Sequence, residues 1–423
     1  MLSRAEIGRG GVVTKAAALA AELAPVLARH AAKADADAEF PRDSVEALRK
    51  AGLFGLLVPT EYGGMGGDLG DMVEAATLLA GGCLSTAMIW AMHCQQVDTV
   101  VRHAGGALRA VLLPRIAVDG YYLASVTTEP GNGAHLLTAS SALVSEDQQL
   151  LVRRDAPVVT GGEFADGFLV TMRASADEPP NRVSLVYLDR SQVEARTVRD
   201  WNAMGMRGTR SVAMVLSGTA SADQLIGAAG GFRAVAVDSM IPAGHLAWSA
   251  CWLGAARAAL HSLASLIRSS DRPASINIDS DLVRHRLART RVELELCGAY
   301  LLHIRNEVMH RRRLERGMDE YAFQIKLDTL KVACSELTFS AVDRLVQLGG
   351  AMTGYQRDAP VPLERHFRDL RSASLNYSND RLLSAIGALT LLDGAGSLGD
   401  GAETGTGLCH GEGAEGVRDE ETY

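Results

Sequence analysis

The order of hydrophobic patterns along the chain restricts its fold more than any single motif. Residues from about 12 to 115 read as helices, those from about 120 to 228 as short strands, and those from about 229 to 393 as long helices again. In the first regime, residues 12–30 (VVTKAAALAAELAPVLARH) form an amphipathic pattern with a proline bend. The stretch "DSVEALRKAGLFGLLVP" offers Asp43 or Ser44 as a helix cap, spaces Val45, Leu48 and Leu53 near the helical period, and stops at Gly52. "EYGGMGGDLGD" is too glycine-rich to be anything but a loop, and "DMVEAATLLAGG" restarts a helix. In the second regime "YYLASVTT", "GFLVTMRA", "RVSLVYLD" and "SVAMVLSG" are β-rich runs separated by Gly, Pro, Asp and Asn, the signature of a compact antiparallel β domain. The third regime holds three long Leu/Ala/Arg-rich patterns beginning at His245, Ser280 and Tyr321, of lengths that suit a four-helix bundle. The expected class is α+β. The expected domains are 1–117 (helical), 118–228 (β), 229–393 (helical bundle) and 394–423, a Gly-rich, acidic tail with too little apolar content to pack.

Composition excludes several function classes. A chain of 423 residues accommodates two or three cooperating domains. High aliphatic content with 5% aromatics predicts a large aliphatic core. A net charge of −8 argues against nucleic acid as a partner, because phosphate binding needs clustered Lys and Arg. The one dense basic run, His310-Arg311-Arg312-Arg313, lies in a helical pattern followed by Glu315 and reads as a solvated helix face; an anion or subunit contact is the sharper alternative. Six cysteines, at 83, 94, 251, 297, 334 and 409, form no CxxC pair and no metal-like cluster, which suits free thiols in a reducing cytoplasm. No run of about 18 uncharged apolar residues predicts a membrane span, and the N-terminus lacks a signal peptide's apolar core.

Four stretches, in order and at domain-scale spacing, carry a resemblance. They are Gly52–Pro59 with Glu61-Tyr62-Gly63-Gly64-Met65-Gly66; Thr127-Thr128-Glu129-Pro130-Gly131-Asn132-Gly133; Gly205-Met206-Arg207-Gly208-Thr209 with Ser211; and Pro362-Leu363-Glu364-Arg365 followed by Arg368-Asp369. From about residue 12 to 393 the chain resembles the acyl-CoA dehydrogenase superfamily, a fold shared with the group D flavin monooxygenases. The resemblance implies an N-terminal helical domain, a middle antiparallel β domain, a C-terminal four-helix bundle and a flavin, FAD or alternatively FMN. The residues suit such a site. Thr127 and Thr128 at a strand end offer hydroxyl and N–H donors, and Gly131 and Gly133 let backbone approach a ligand. In isolation "TEPG" reads equally well as a plain turn. By the resemblance Thr160 is a second flavin-contacting Thr, with Val158 in the place of the usual aromatic residue. Ala134 stands in place of the substrate-side Ser, followed by His135. Gln347, Gly349 and Gly350 match the adenosine-end motif, one residue out of register. "RSSDRPASINIDSD" lacks the usual Phe-Gly pair, leaving Arg268 or Arg272 as substitutes for the pyrophosphate contact.

A standard member needs a carboxylate over the substrate's α-carbon. Counting from Arg368-Asp369, the usual Glu falls on Tyr377, and the alternative position on the first bundle helix falls on Gly244, next to His245. Neither is a carboxylate. Asp380, one turn beyond Tyr377, and His245 are the substitutes, although Asp380 beside Arg381 also reads as a surface charge. A tyrosine, with a pKa of about 10, is a poor base at neutral pH. The group D monooxygenases lack the Glu and carry a His where this chain has Asn376. His93, in "AMIWAMHCQQ", is a further pocket candidate. The leading expectation is oxidation of a small acyl or amino-acid-derived thioester, on CoA or a carrier protein, with a non-standard base. A monooxygenase supplied with reduced flavin by a reductase and a non-redox binding protein on the same fold are the alternatives. The implied partners are further copies of the chain, as a homodimer or homotetramer, and an electron-transfer flavoprotein or a flavin reductase.

Overall fold

The computed structural model describes residues 13–131, 135–146 and 149–393. Five helices open the chain: α1 (Lys15–Asp37), α2 (Arg42–Lys50), α3 (Leu69–Gly82), α4 (Leu84–His103) and α5 (Gly106–Val118). The proline bend falls inside α1, at Pro25. The cap expected of Asp43 or Ser44 is not made. α2 starts at Arg42 behind Pro41, and the Ser44 hydroxyl pairs with His30 Nδ1 at 3.1 Å. Asp68 caps α3 instead, accepting from the Gly70 and Asp71 amides while its own N–H donates to the Asp71 carboxylate.

Eight strands follow: β1 (Leu123–Val126), β2 (Val144–Glu146), β3 (Gln149–Val159), β4 (Gly167–Arg173), β5 (Val183–Asp189), β6 (Val193–Arg199), β7 (Val212–Ser221) and β8 (Leu225–Ile226). They form two four-stranded sheets, ordered β1-β4-β5-β8 and β2-β3-β7-β6. Pairing is antiparallel except between β1 and β4, which run parallel because the chain visits the second sheet between them. β3, the longest strand, escaped the sequence reading. Its "VRRDA" core puts Arg154 on the inward face, where it is fully buried.

The remaining helices are α6 (Phe232–Val235), α7 (Ile241–Arg268), α8 (Asp281–Arg313), α9 (Tyr321–Gly350), α10 (Leu363–Leu370) and α11 (Asn379–Leu392). The continuous helical stretch Phe232–Arg268, which ends in α7, is long and apolar enough to cross a membrane, but α7 is mostly buried between α3, α4, α8 and α9, as the central helix of a protein core is. Its approach to α3 is close because Gly254 has no Cβ; one there would lie 2.1 Å from the Thr77 carbonyl oxygen. The five cysteines among the described residues are buried thiols. The expectations for Cys409 and for residues 394–423 lie outside the described residues.

Two motifs noticed separately in the sequence are one joint. Arg368 grips Asp35 of α1 with both terminal nitrogens, at 2.8 and 2.6 Å, and Glu364 through Nε at 2.7 Å. Asp369, buried, accepts from the Met206 amide of the β domain at 2.6 Å. Arg207 returns to α1, donating to the Asp35 carbonyl at 2.6 Å. Between them lies Gly205, where a Cβ would sit 2.0 Å from the Arg368 carbonyl oxygen. All three domains meet in this joint. Gly205→Ala should therefore cost about 1–3 kcal/mol by overpacking, read as a lowered urea midpoint; an unchanged midpoint would show that the joint yields freely.

Candidate active site

From the β domain, Thr127 and Thr128 follow β1 half-buried. The Thr128 hydroxyl donates to the Val158 carbonyl at 2.9 Å and accepts from the Val158 amide at 3.3 Å. The Thr160 hydroxyl pairs with Ser211 Oγ at 3.0 Å, and Ser211 with Thr209 Oγ1 at 2.8 Å. These hydroxyls brace the strand ends against one another, and Val158 between them stays exposed enough to meet a ring. Gly133 and Ala134 lie outside the described residues. His135 is exposed, with its pKa lowered by partial burial and by the Arg381 charge, which places the β-domain loop opposite α11.

Glu129 is the anchor of the "TEPG" turn, a role the sequence reading missed by attending to its glycine. It is buried and accepts from the Ser140 and Ser141 amides, both at 2.7 Å, and from the Ser141 hydroxyl. Arg154 Nη1 lies 2.9 Å away, an ion pair held by charge more than by an aligned hydrogen bond. Burial opposes ionisation of Glu129, but these donors and the Arg154 charge outweigh it and hold the carboxyl below its ordinary value.

His93 is not a pocket residue. Its Nε2 lies 3.0 Å from the Phe54 carbonyl oxygen and its Nδ1 accepts from the Leu123 amide at 3.1 Å. Both nitrogens are spent on backbone, and burial pushes the ring's pKa down to about 4. This histidine splices the helical domain to β1.

From the bundle, Tyr377 sits in a left-handed backbone conformation (φ 53°) between α10 and α11. Its ring lies 5.8 Å from His245 and 6.5 Å from Trp248, which are themselves 5.8 Å apart. Asp380 does not join them; it is exposed in the first turn of α11, where a carboxylate complements the helix dipole. Asn376 is half-buried in the preceding turn, its amide donating to the Ser372 carbonyl at 2.9 Å. At Gly244 a Cβ would come 2.4 Å from Gln95 Nε2, which donates to the Met240 carbonyl at 2.7 Å, so any side chain there requires that glutamine to move.

The carboxylate near the aromatic trio comes from a helix that sequence reasoning passed over. Asp328 of α9 is buried, with Oδ1 3.6 Å from His245 Nδ1. Lys331, one turn on, is completely buried; its Nζ donates to Asn379 Oδ1 at 2.7 Å and lies 5.6 Å from the Trp252 ring centre. Burial pushes Asp328 up to about 7, against the pull of the Lys331 charge. Burial likewise pushes Lys331 down to about 7, and His245 down to about 3 with help from that charge. Tyr377 rises to about 12, through burial and then the Asp328 charge. The spacing 328, 331, 335 was a usable signal: Asp, Lys and Ser share a face with the buried Leu327 and Cys334. Beside them, Trp248 is 8% exposed and its indole N–H, fully buried, has no hydrogen-bond partner.

Gln347, Gly349 and Gly350 are not part of this cluster. They end α9, about 28 Å along the helix from Asp328 at 1.5 Å per residue. Gln347 is exposed, its amide donating to Asp343 at 2.8 Å. Two open clefts of about 460 and 590 Å³, lined by Arg49, Asp166 and Arg190 among others, also lie elsewhere, between the helical and β domains.

Family profiles for "Acyl-CoA dehydrogenase, N-terminal domain" and "Acyl-CoA dehydrogenase, C-terminal domain" match residues 14–119 and 230–376, together more than half of the chain. This protein belongs to the acyl-CoA dehydrogenase family. It is 23% identical to the mitochondrial isobutyryl-CoA dehydrogenase of Dictyostelium discoideum over 84% of this chain and 83% of that one. In structure it resembles FMN-bound TdsC of Paenibacillus sp. A11-2 (TM-score 0.81, 22% identity, 90% of this chain and 98% of that one). It also resembles butyryl-CoA dehydrogenase of Megasphaera elsdenii (TM-score 0.77, 18% identity, 90% and 100%).

Among acyl-CoA dehydrogenase family members the supported cofactor is a flavin, FAD or FMN. The residues present fit one. At the strand ends, half-buried Thr127 and Thr128 and exposed Val158 suit the edge of a flat ring, and in the bundle Trp248 holds a buried N–H without a partner. No group of His, Cys, Asp and Glu able to hold a metal occurs among the described residues. Glu129→Ala, which strands Arg154 in the core, should cost about 3–5 kcal/mol by urea denaturation; Glu129→Ala with Arg154→Met should recover most of that loss. A double variant no more stable than Glu129→Ala would show that the ion pair is not what sets the cost.

Proposed function

We propose that this chain oxidises a small acyl thioester, carried by CoA or by a carrier protein. The observation that carries this reading is the buried, unpartnered N–H of Trp248 beside Tyr377, the residue in register with the family's acid. A buried donor left unpaired costs about 1–3 kcal/mol, so a ligand acceptor such as a thioester carbonyl oxygen has something to gain there. The Trp248, Tyr377 and His245 rings wall the site closely, which favours a short or branched acyl group over a long chain. The isobutyryl-CoA dehydrogenase relative bears the name of such a substrate. A bound flavin supplies the hydride acceptor. Thr127, Thr128 and Thr160 with Val158 hold its ring edge, and Tyr377 polarises the pocket without taking the proton, since burial makes its hydroxyl still less acidic.

A second reading is a monooxygenase supplied with reduced flavin. It is favoured by the absence of a carboxylate at 377 and at 244 and by the likeness to FMN-bound TdsC. Anaerobic mixing of flavin-loaded protein with propionyl-, butyryl- and isobutyryl-CoA distinguishes them. Bleaching of the visible flavin band is expected. Oxygen uptake only with supplied reduced flavin, and no bleaching, would favour the second reading. Failure to bind FAD or FMN at all would contradict both.

The chain is also expected to self-associate. Leu282, Val292 and Leu296 share an exposed face of α8, and Met352 and Tyr355, just past α9, are 75% and 76% exposed. Light scattering at micromolar concentration should give a dimer or tetramer; a monomer with flavin bound would contradict it.

A further inference from the structure

We propose that Asp328, acting through His245, takes the substrate α-proton in place of the family's usual glutamate. This rests on the dehydrogenase reading above. The competing carboxylates are disposed of by their surroundings. Asp380 is exposed, position 244 is a glycine, and Glu336 accepts from Asn379 Nδ2 at 3.0 Å. Asp328 alone is buried against the trio that stands where the family's acid would be.

The geometry gives each group a task. His245 Nδ1 faces Asp328 Oδ1 at 3.6 Å and the Leu327 carbonyl oxygen at 3.3 Å. With the proton on Nδ1, the lone pair of Nε2 is the one left for substrate. A base oriented by a carboxylate behind it is a recurring arrangement for proton transfer. The α C–H bond breaks and its proton passes to Nε2. A bound oxidised flavin would supply the hydride acceptor for the β-hydrogen, which lets the electron pair left at Cα close the Cα=Cβ bond. The charge gained by the imidazole is met by the Asp328 carboxylate, or the Nδ1 proton moves onto it. His245 alone would be a weak base, because burial and Lys331 both oppose its protonation. The Asp328 carboxylate, 3.6 Å from Nδ1, is the group placed to stabilise the imidazolium.

Asp328 faces His245 on α7 at 3.6 Å, Lys331 one turn on along α9, and Tyr377 after α10; around these, Glu336 and Asn379 contact Lys331 or each other, and Arg381 acts on Tyr377. Lys331, held by Asn379 at 2.7 Å and itself lowered to about 7 by burial, is the positioning group, and its charge is lost over the same pH range in which Asp328 ionises. Burial raises Asp328 to about 7. Below that pH the site already holds its proton and cannot accept another; above it the carboxylate is ionised and ready. Turnover therefore rises with pH through about 7, and Lys331→Met, which removes the charge favouring ionisation, moves that rise to higher pH.

Two measurements test this. In the apoprotein, pH-difference infrared spectroscopy should show a protonated carboxyl band that disappears through neutrality, and Asp328→Asn should abolish it. A band that persists in Asp328→Asn, or Asp328 titrating below pH about 5, near the ordinary carboxylate value, would overturn the proposal. In flavin-loaded protein, anaerobic bleaching by isobutyryl-CoA should slow roughly 10²–10⁴-fold in Asp328→Asn and in His245→Gln, with flavin content unchanged and partial recovery in Asp328→Glu. Wild-type rates in Asp328→Asn would overturn it. If wild-type protein itself is not bleached, the thioester reading fails, and the infrared result still decides whether Asp328 is the titrating group.

Discussion

The joint built on Arg368 and Asp369 is the constraint on which the rest of the structure depends. One arginine reaches Asp35 in the first helix, and the adjacent aspartate receives the Met206 amide from the β domain. A bidentate arginine–carboxylate contact fixes direction as well as distance. The helical domain, the β domain and the bundle are thus referenced to two neighbouring residues. Eight residues after Asp369 the chain reaches Tyr377, whose left-handed backbone turns it toward His245 and Trp248. Two residues later Asn379 is clamped by Lys331 and Ser335. The site segment is pinned at both ends, and its tyrosine has little freedom to be elsewhere.

Burying Asp328 and Lys331 in a bundle otherwise filled with Leu, Ala and Cys is costly. Similar volumes of apolar side chain serve stability as well or better than a buried ion pair. A pair of groups whose environments drive both toward neutral pH is what proton-transfer chemistry needs. By contrast Glu129, also buried, is held below its ordinary pKa by three hydrogen-bond donors and the Arg154 charge, and has the character of a structural anchor. The two buried carboxylates differ in kind because Glu129 accepts several hydrogen bonds beside Arg154, whereas Asp328 has His245 at 3.6 Å and the Lys331 charge near it.

Much of the architecture was legible because period and punctuation agreed: helical repeats, short strands between turn residues, then three long helices. β3 was hidden by Arg154, an inward charge that broke the alternation of apolar residues. The parallel pairing of β1 with β4 could not be read either, since it depends on the chain crossing between sheets. At the site, the register from Arg368-Asp369 brought Tyr377 beside His245. His93 misled because an isolated histidine gives no sign that backbone groups will claim both nitrogens. Asp328 was missed because a charged residue in a long helix ordinarily reads as a surface position, and only its share of the buried face says otherwise. Gly244 shows the reverse: an absent side chain there reflects a packed glutamine, a fact of three dimensions.

The most direct test of this arrangement is a crystal structure of the protein with flavin bound. Tyr377, His245 and Trp248 should line the pocket over the flavin ring. The hydroxyl-bearing strand ends at Thr127, Thr128 and Thr160 should lie at its edge, with Asp328 reaching that pocket through His245. A flavin ring bound away from the trio, or Asp380 turned into the pocket with Asp328 sealed off behind the helices, would contradict it.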